Sequence, residues 1–210
     1  MQLKSQRGVT LIETLIGIVI IGIIAISVYR GLVVLIDLLN VSRAKVAAAT
    51  LANEQMELIR NITYEAVGVS GGIPGGVVMP TETKSKDNIQ FTVTTVIRNI
   101  DDPFDGIFGG TPNDPAPADY KLAEVSLVCT DCEDTSTFVF TGIISPRGLE
   151  TATTNGALII QSIDASGAPV PSANVTITNT AVTPNINISD LTDESGILKI
   201  IDVPPSNQSY

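Results

Sequence analysis

Glu13 has the clearest chemical consequence of any residue in the chain, because it is a carboxylate inside the otherwise apolar run at residues 9–29. A helix of that length spans roughly 30 Å, which is enough to cross the hydrocarbon core of a membrane. A carboxylate at that depth costs about 2.5–3.5 kcal/mol on insertion scales. A plain membrane anchor therefore does not explain Glu13.

The residues around Glu13 form a recognisable processing motif. The sequence "RGVTLIE" at 7–13 resembles the cleavage and methylation motif of type IV pilins and type II secretion pseudopilins. The resemblance implies that a prepilin peptidase cuts after Gly8 and methylates the new amino terminus at Val9, where many members have phenylalanine or methionine. It also implies that Glu13 pairs with the terminal amine of a neighbouring subunit during filament assembly.

Two other interpretations of the apolar run remain open. A conventional signal peptide also begins with positive charge, here Lys4 and Arg7, but its apolar core is about 7–15 residues long and ends at small residues. This run is longer and is followed by Tyr29 and Arg30. A plain membrane anchor accounts for the apolar run but not for Glu13. As a membrane span, the run is oriented with its amino end in the cytoplasm, because basic residues without nearby acids precede it.

Cys129 and Cys132 are the two cysteines of the chain, in the sequence "CTDC" between two predicted strands. A thioredoxin-like redox pair requires the motif to open a helix in a βαβ unit, and the sequence predicts no such unit here. Zinc requires more ligands than two cysteines, and the chain contains no histidine. We therefore predict a disulfide that clamps a two-residue hairpin turn in the oxidising environment outside the membrane.

A loop rich in Asp, Gly and Pro covers residues 101–120. Its aspartates supply hard oxygen atoms of the kind that bind calcium: Asp101, Asp102, Asp105, Asp114 and Asp119. Their spacing is irregular, and Asp side chains also cap their own backbone in solvated turns. The sequence therefore favours a turn, and we expect no metal and no cofactor. The sequences "DDPFDG" and "DYK" in this loop also resemble minor pilins of the prepilin-modification type.

Charge and composition disfavour several function classes. The chain has a net charge of −10, and the residues through Tyr64 carry six basic and four acidic side chains, or +2, so the remainder carries −12. Such an acidic body repels phosphate backbones, which disfavours nucleic-acid binding by bulk charge. Histidine, the usual general base, is absent. We therefore expect that the protein is not an enzyme.

One long helix is predicted from about Thr10 to about Tyr64, with two helices broken near Gly31 as the alternative. Its second half carries an apolar stripe at spacings of three, four or seven residues: Val41, Ala44, Ala48, Leu51, Leu58 and Ile62. A Gly- and Pro-rich cluster at 68–80 ends the helix. Alternating, β-branched segments at 88–100, 120–129 and 136–145 then predict three strands.

The residues from about Gly156 onward resemble a carboxypeptidase regulatory-like, or transthyretin-like, module. The resemblance lies in the alternation at 157–163, a turn at 164–167, "PVPSANVTIT", and a "TDESG" turn before "ILKIIDVPP". It implies a small β-sandwich that acts as a spacer or a binding domain. Such folds need about seven strands, and about four fit before Tyr210. We expect the module to be truncated, with completion by strands from elsewhere as the alternative.

These features predict an α+β protein with a long transmembrane and amphipathic helix, a β-rich pilin-like head and a partial Ig-like β-sandwich. The predicted segments are a leader at 1–8, the helix at 9–64, the head at 65–150 and the incomplete module at 151–210. The first part of the helix, residues 9–29, is the predicted membrane span.

The resemblance implies a structural subunit that prepilin peptidase processes and that assembles with other pilin or pseudopilin subunits. The filament is a type IV pilus or a type II secretion pseudopilus, and the lack of proline in the first half of the helix favours a minor component. The inner membrane holds the helix with its amino terminus inside and the head outside, in a periplasmic or cell-surface filament after assembly. The alternative is a membrane-anchored surface adhesin that uses the helix only as an anchor.

Overall fold

The computed structural model describes residues 10–132, 136–148 and 154–206. Helix α1 covers Leu11–Asn61 and a 3-10 turn covers Tyr64–Ala66. The strands of the described residues are β1 Thr81–Lys86, β2 Ile89–Ile100, β3 Tyr120–Cys129, β4 Thr137–Ile144, β5 Gly156–Gln161, β6 Asn174–Asn179, β7 Ile186–Leu191 and β8 Ile197–Val203. A long apolar helix followed by antiparallel strands confirms the predicted α+β class. By its contacts the chain divides into two compact units, Met1–Val46 and Ala47–Tyr210.

Helix α1 is continuous through Gly31, as predicted, and ends three residues before the predicted limit at Tyr64. Its charged ends agree with the helix dipole, with Glu13 in the first turn and Arg60 in the last. No proline interrupts it, and its second half is rich in strong helix formers such as Ala and Leu. The sequence therefore supports one helix over its whole length.

Strands β1 to β4 form an antiparallel sheet in chain order. The three strands predicted at 88–100, 120–129 and 136–145 are confirmed as β2, β3 and β4. Side chains on the two central strands alternate between a buried and a half-buried face. The apolar residues of the buried face are Phe91, Val93, Ile97, Ala123, Val125 and Leu127.

The second half of α1 packs on this buried face and forms the main core with it. Small side chains such as Ala47, Ala48 and Ala52 are fully buried, which brings the helix close to the sheet. The predicted stripe is wrong at Val41 and Leu58, which are 36% and 58% exposed. The spacing of three, four or seven residues admits Leu58, but Met56 and Ile59 are the buried apolar residues of that turn.

Strand β1 was not predicted from the sequence, because its six residues, "TETKSK", include no apolar residue. It pairs with β2 through the backbone, from Thr81 opposite Thr94 to Lys86 opposite Ile89. The two residues between the strands, Asp87 and Asn88, both have positive φ, 51° and 65°. This is the conformation of a two-residue hairpin turn, for which Asp and Asn are favoured residues.

The carboxyl-terminal strands form two antiparallel pairs, β5 with β8 and β6 with β7. They enclose a second, smaller core, whose buried residues are Ile73, Ile177, Ile186, Leu198, Ile200 and Val203. Ile73 belongs to the Gly-rich segment that follows α1, and Gly71 of that segment accepts a hydrogen bond from the Asn187 N–H at 2.9 Å. The Gly-rich segment is thus part of the packing of the carboxyl-terminal strands.

Direct polar contacts join the four-stranded sheet to the carboxyl-terminal strands. Arg98 on β2 makes a bidentate ion pair with Asp190 on β7, with both N···O distances 2.8 Å. The Asn99 side chain donates a hydrogen bond to the Ile201 carbonyl oxygen at 3.4 Å. The head and the carboxyl-terminal strands therefore belong to the same compact unit, which begins at Ala47.

Candidate functional site

Glu13 lies in the first turn of α1, where it completes a reciprocal cap with Thr10. The Glu13 N–H donates to the Thr10 hydroxyl oxygen at 3.4 Å, and the Thr10 N–H donates to a Glu13 carboxylate oxygen at 3.5 Å. This is the arrangement of a capping box, which satisfies two of the free N–H groups at a helix start. Glu13 therefore has a partner in its own chain, and its side chain is exposed. The predicted processing site, Gly8 and Val9, lies outside the described residues.

The helix surface around and after Glu13 is apolar and exposed within its own unit. Leu11 is 83% exposed, Ile18 71% and Leu39 69%. By length and composition the helix is long and apolar enough to cross a membrane. Such a surface requires lipid or another apolar partner, because exposed apolar area of this extent is unfavourable in water. The structure thus places an apolar surface directly beside the capped carboxylate.

Cys129 and Cys132 form a disulfide with a Cα–Cα distance of 5.6 Å. Cys129 is the last residue of β3 and is buried, whereas β4 begins only at Thr137. The connection between the strands is therefore longer than the predicted two-residue hairpin turn, and that part of the prediction is wrong. The disulfide closes the first turn after β3, where the Thr130 N–H also donates to the Gln90 carbonyl oxygen at 3.0 Å.

The aspartate-rich loop between β2 and β3 brings together three of its five aspartates. Asp101, Asp114 and Asp119 each offer a carboxylate oxygen, and these atoms lie within 4.8 Å of one another. The predicted turn bonds are present as well: Asp102 accepts from the Phe104 N–H at 3.0 Å, and Asp114 accepts from the Ala116 N–H at 2.7 Å. The loop therefore has both a turn structure and a carboxylate cluster.

The surroundings of Asp119 disfavour its charged form. Burial raises the pKa of Asp119, and the negative charges of Asp105, Asp114 and Asp101 raise it further, against the opposing effect of the Asp102 N–H. Asp114 is 3% exposed, and its Oδ2 is buried without a hydrogen-bond partner. No ion pair found in the described residues includes a member of the cluster. The cluster thus concentrates negative charge without a neutralising group.

Lys121 is a buried cation that the sequence reading did not identify. Its Nζ donates to the carbonyl oxygens of Tyr64 and Val67, at 2.8 and 2.6 Å, and lies 4.6 Å from the centre of the Tyr64 ring. Burial lowers the pKa of Lys121, while Asp202 and Glu65 oppose this effect. The side chain lines a groove of about 930 Å³ at the end of α1. Its contacts indicate a structural role, because they fix the segment that follows the helix.

A signal for Lys121 exists in the sequence. On β3 it lies in phase with Ala123, Val125 and Leu127, so strict alternation already places it on the buried face. The aspartate cluster has no comparable signal, because its members are separated by irregular distances along a loop. Only the folded backbone brings Asp101 to Asp114 and Asp119.

Comparison with known proteins gives one match. The family model described as "Prokaryotic N-terminal methylation motif" matches residues 3–29, which include Glu13 and the first part of α1. Neither a curated protein nor a solved structure matches the chain. The comparison therefore finds a known motif in residues 3–29 and gives no match for the β-strands.

Proposed function

We propose that this chain, which carries the N-terminal methylation motif typical of type IV pilins and pseudopilins, is a non-enzymatic pilin-like subunit that assembles through α1. The motif implies processing by prepilin peptidase and assembly with other pilins in general. The finer proposal is that cleavage follows Gly8, that Val9 becomes the methylated terminus, and that the chain is a minor component of a pilus or pseudopilus. The observation that carries the proposal is a carboxylate at the start of a long, exposed apolar helix within this motif.

The energetics of Glu13 support a role in assembly. In the capping box its bonds to Thr10 are long, 3.4 to 3.5 Å, and its side chain remains exposed. Once the helix lies in lipid or among other helices, such a charge is unfavourable without a positive partner. The terminal amine that cleavage creates at Val9 is such a partner, and on a neighbouring subunit it would fix the axial position of one helix against the next.

The remaining surface of α1 supports the same proposal. The run from Leu11 to Leu39 is apolar except for a few side chains, and no proline interrupts it. Helices of this kind associate through van der Waals packing in lipid, and Gly17, Gly22 and Gly31 provide positions where another helix approaches closely. We propose that the inner membrane holds this segment before assembly, with the amino terminus in the cytoplasm.

The decisive experiment compares Glu13→Gln with Asp37→Asn in cells that contain the prepilin peptidase and the filament system. Both changes remove one exposed carboxylate from α1, so Asp37→Asn is the matched control. We expect Glu13→Gln to reduce incorporation into sheared filaments at least tenfold, because it removes the carboxylate that pairs with the terminal amine of the neighbouring subunit. Asp37→Asn should retain wild-type incorporation.

Terminal sequencing of the same samples separates processing from assembly. The wild-type protein and both variants should begin at Val9 with a methylated amine. A chain that still begins at Met1 in the presence of the peptidase contradicts the proposal. If the wild-type protein and Glu13→Gln are both displayed at the surface and neither enters sheared filaments, the helix is only an anchor and the protein is better described as a surface adhesin. If Glu13→Gln is incorporated like the wild-type protein, Glu13 has no role in assembly.

A further inference from the structure

We propose that Asp101, Asp114 and Asp119 form a binding site for one divalent cation, with calcium as the preferred ion. The site lies in the loop between β2 and β3, within the compact unit that begins at Ala47. Its residues come from the start, the later part and the end of that loop. A bound ion would therefore cross-link a long connection at three points.

The geometry of the three carboxylates suits a single ion. Two oxygen ligands of one calcium ion at about 2.4 Å lie at most about 4.8 Å apart, when they face each other across the ion. The three carboxylate oxygens lie within 4.8 Å of one another, so each pair of them is close enough to share one calcium ion. This agreement exists although the three residues are separated by up to eighteen positions in the sequence.

The second observation is the unpartnered oxygen of Asp114. Its Oδ1 accepts a hydrogen bond from the Ala116 N–H, whereas its Oδ2 is buried and has no partner. Asp101 repeats the pattern: Oδ2 accepts from the Phe108 N–H at 3.1 Å, and Oδ1 is buried without a partner. A buried carboxylate oxygen without a hydrogen bond is strongly unfavourable. A divalent cation satisfies both oxygens and offsets two of the three negative charges.

The backbone of the loop holds the ligands in place. The Asp119 N–H donates to the Ile100 carbonyl oxygen at 3.1 Å, which closes the base of the loop, and the Asp114 N–H donates to the Ile107 carbonyl oxygen at 3.2 Å. Gly106 has a φ of +139°, and a Cβ atom there would lie 2.9 Å from the Pro112 carbonyl oxygen. One oxygen of each aspartate fixes its side chain to the backbone and leaves the other for an ion.

The donor set selects the class of ion. All three side chains offer hard oxygen atoms, which suit calcium, magnesium and manganese, and the cluster contains no nitrogen or sulfur ligand of the kind that zinc favours. Magnesium requires near-ideal octahedral geometry at about 2.0–2.1 Å. It gives up its bound water reluctantly, so it usually keeps several water ligands. An irregular loop with separations up to 4.8 Å fits the longer and more adaptable bonds of calcium.

Isothermal titration calorimetry on the full chain in detergent micelles, stripped with EDTA and desalted, tests the proposal at neutral pH. We expect one calcium ion per chain with a dissociation constant at or below about 1 mM, the weak limit for extracellular calcium modules. Magnesium should bind at least tenfold more weakly. The absence of saturable calcium binding in the wild-type protein overturns the proposal.

Two variants locate the site. Asp114→Asn should weaken calcium binding at least tenfold, because it replaces a carboxylate ligand with a neutral amide and so removes one negative charge from the site. Asp105→Asn is the matched control in the same loop, since Asp105 is exposed and outside the cluster, and it should change the affinity less than threefold. Equal affinities in the wild-type protein and Asp114→Asn contradict the site. If circular dichroism shows that Asp114→Asn is unfolded, Asp101→Asn takes its place with the same expectation.

Discussion

Asp164 and Asp193 each hold a turn of the carboxyl-terminal strands in the same way. The sequences are "DASG" and "DESG", and in both the aspartate Oδ1 accepts from the N–H groups two and four residues later. The final glycines, Gly167 and Gly196, have φ values of +85° and +72°, a conformation that other residues rarely adopt. This repeated pattern of hydrogen bonds and a glycine with positive φ explains why the chain reverses direction at these two points.

The first prediction concerns Asp164 and the acid stability of this turn. The Ser166 hydroxyl, then the Ala168 and Ser166 N–H groups, lower the pKa of Asp164 below its ordinary value near 3.8. A carboxylate whose folded-state pKa is lowered stabilises the protein above the ordinary value, and this stabilisation is lost as the pH falls through the folded-state pKa. We therefore expect Asp164→Asn to be less stable than the wild-type protein at neutral pH, with the difference disappearing at lower pH.

Urea denaturation of the full chain in micelles, at a series of pH values between 2 and 7, measures this difference. Glu194→Gln, which removes an exposed carboxylate from the neighbouring turn, is the control and should parallel the wild-type curve. An offset between Asp164→Asn and the wild-type protein that stays constant across the whole pH range would show that the charge of Asp164 plays no part.

At the scale of elements, the contact between α1 and the four-stranded sheet is the main source of stability in the head. Phe91 on β2 is fully buried and belongs to the same core as the small side chains of the helix. Gly142 on β4 leaves room for Met56, since a Cβ atom there would lie 2.7 Å from the Met56 sulfur. The glycine thus lets the helix approach β4 closely.

The second prediction compares two phenylalanines. Phe91→Ala removes a fully buried ring and should lower the free energy of unfolding by about 3–5 kcal/mol, through lost burial and the cavity that remains. Phe104→Ala removes a ring that is 96% exposed and should change the free energy by less than about 0.5 kcal/mol. Urea denaturation followed by circular dichroism gives both values. Similar losses in the two variants would place Phe91 outside the core.

The element scale also shows how far the sequence determines the fold. The strands β2 and β3 follow from strict alternation, and α1 follows from its apolar run and its strong helix formers. Strand β1 was missed because its six residues contain no apolar side chain, and it forms through backbone pairing with a neighbour that the sequence cannot locate. Leu58 was assigned to the wrong face because several apolar residues compete for the same helix turn, and only the position of the sheet decides between them.

Only part of the candidate functional site could be predicted from the sequence, because only part of it is formed by residues close together in the chain. The chemistry of Glu13 depends on its immediate neighbours, so the motif in the sequence was sufficient to find it. The cluster of Asp101, Asp114 and Asp119 depends on the path of a loop, and its residues lie at irregular intervals. Local sequence therefore gave the residue types of this cluster but not their association.

At the scale of the whole molecule, the compact unit that begins at Ala47 contains two cores joined by polar contacts. The ion pair between Arg98 and Asp190 is bidentate and partly buried, with the two side chains 39% and 16% exposed. Ion pairs of this geometry are stronger than single exposed contacts. We expect the unit to unfold in one cooperative transition because the two cores support each other.

The third prediction measures that coupling with a double-mutant cycle of Arg98→Ala and Asp190→Ala. The expected coupling energy is about 1 kcal/mol, at the upper end of the range for partly exposed pairs. The pair of Lys86 and Glu54, which is more exposed, is the control and should give less than about 0.5 kcal/mol. A coupling energy near zero for Arg98 and Asp190, or two separate unfolding transitions, would indicate that the cores are independent.

The capping box at the start of α1 has a consequence for the order of events on the way to a filament. Under the proposed function, cleavage after Gly8 would create an ammonium group next to Thr10, at the positive end of the helix dipole, where a cation is unfavourable. Glu13 is the acid nearest to this amine in the same chain, so we expect a freshly cut chain to pair its own amine with Glu13. A neighbouring subunit then has to displace this internal pair before it docks. We expect this exchange to delay spontaneous polymerisation and to leave the timing of growth to the machinery that extracts each chain.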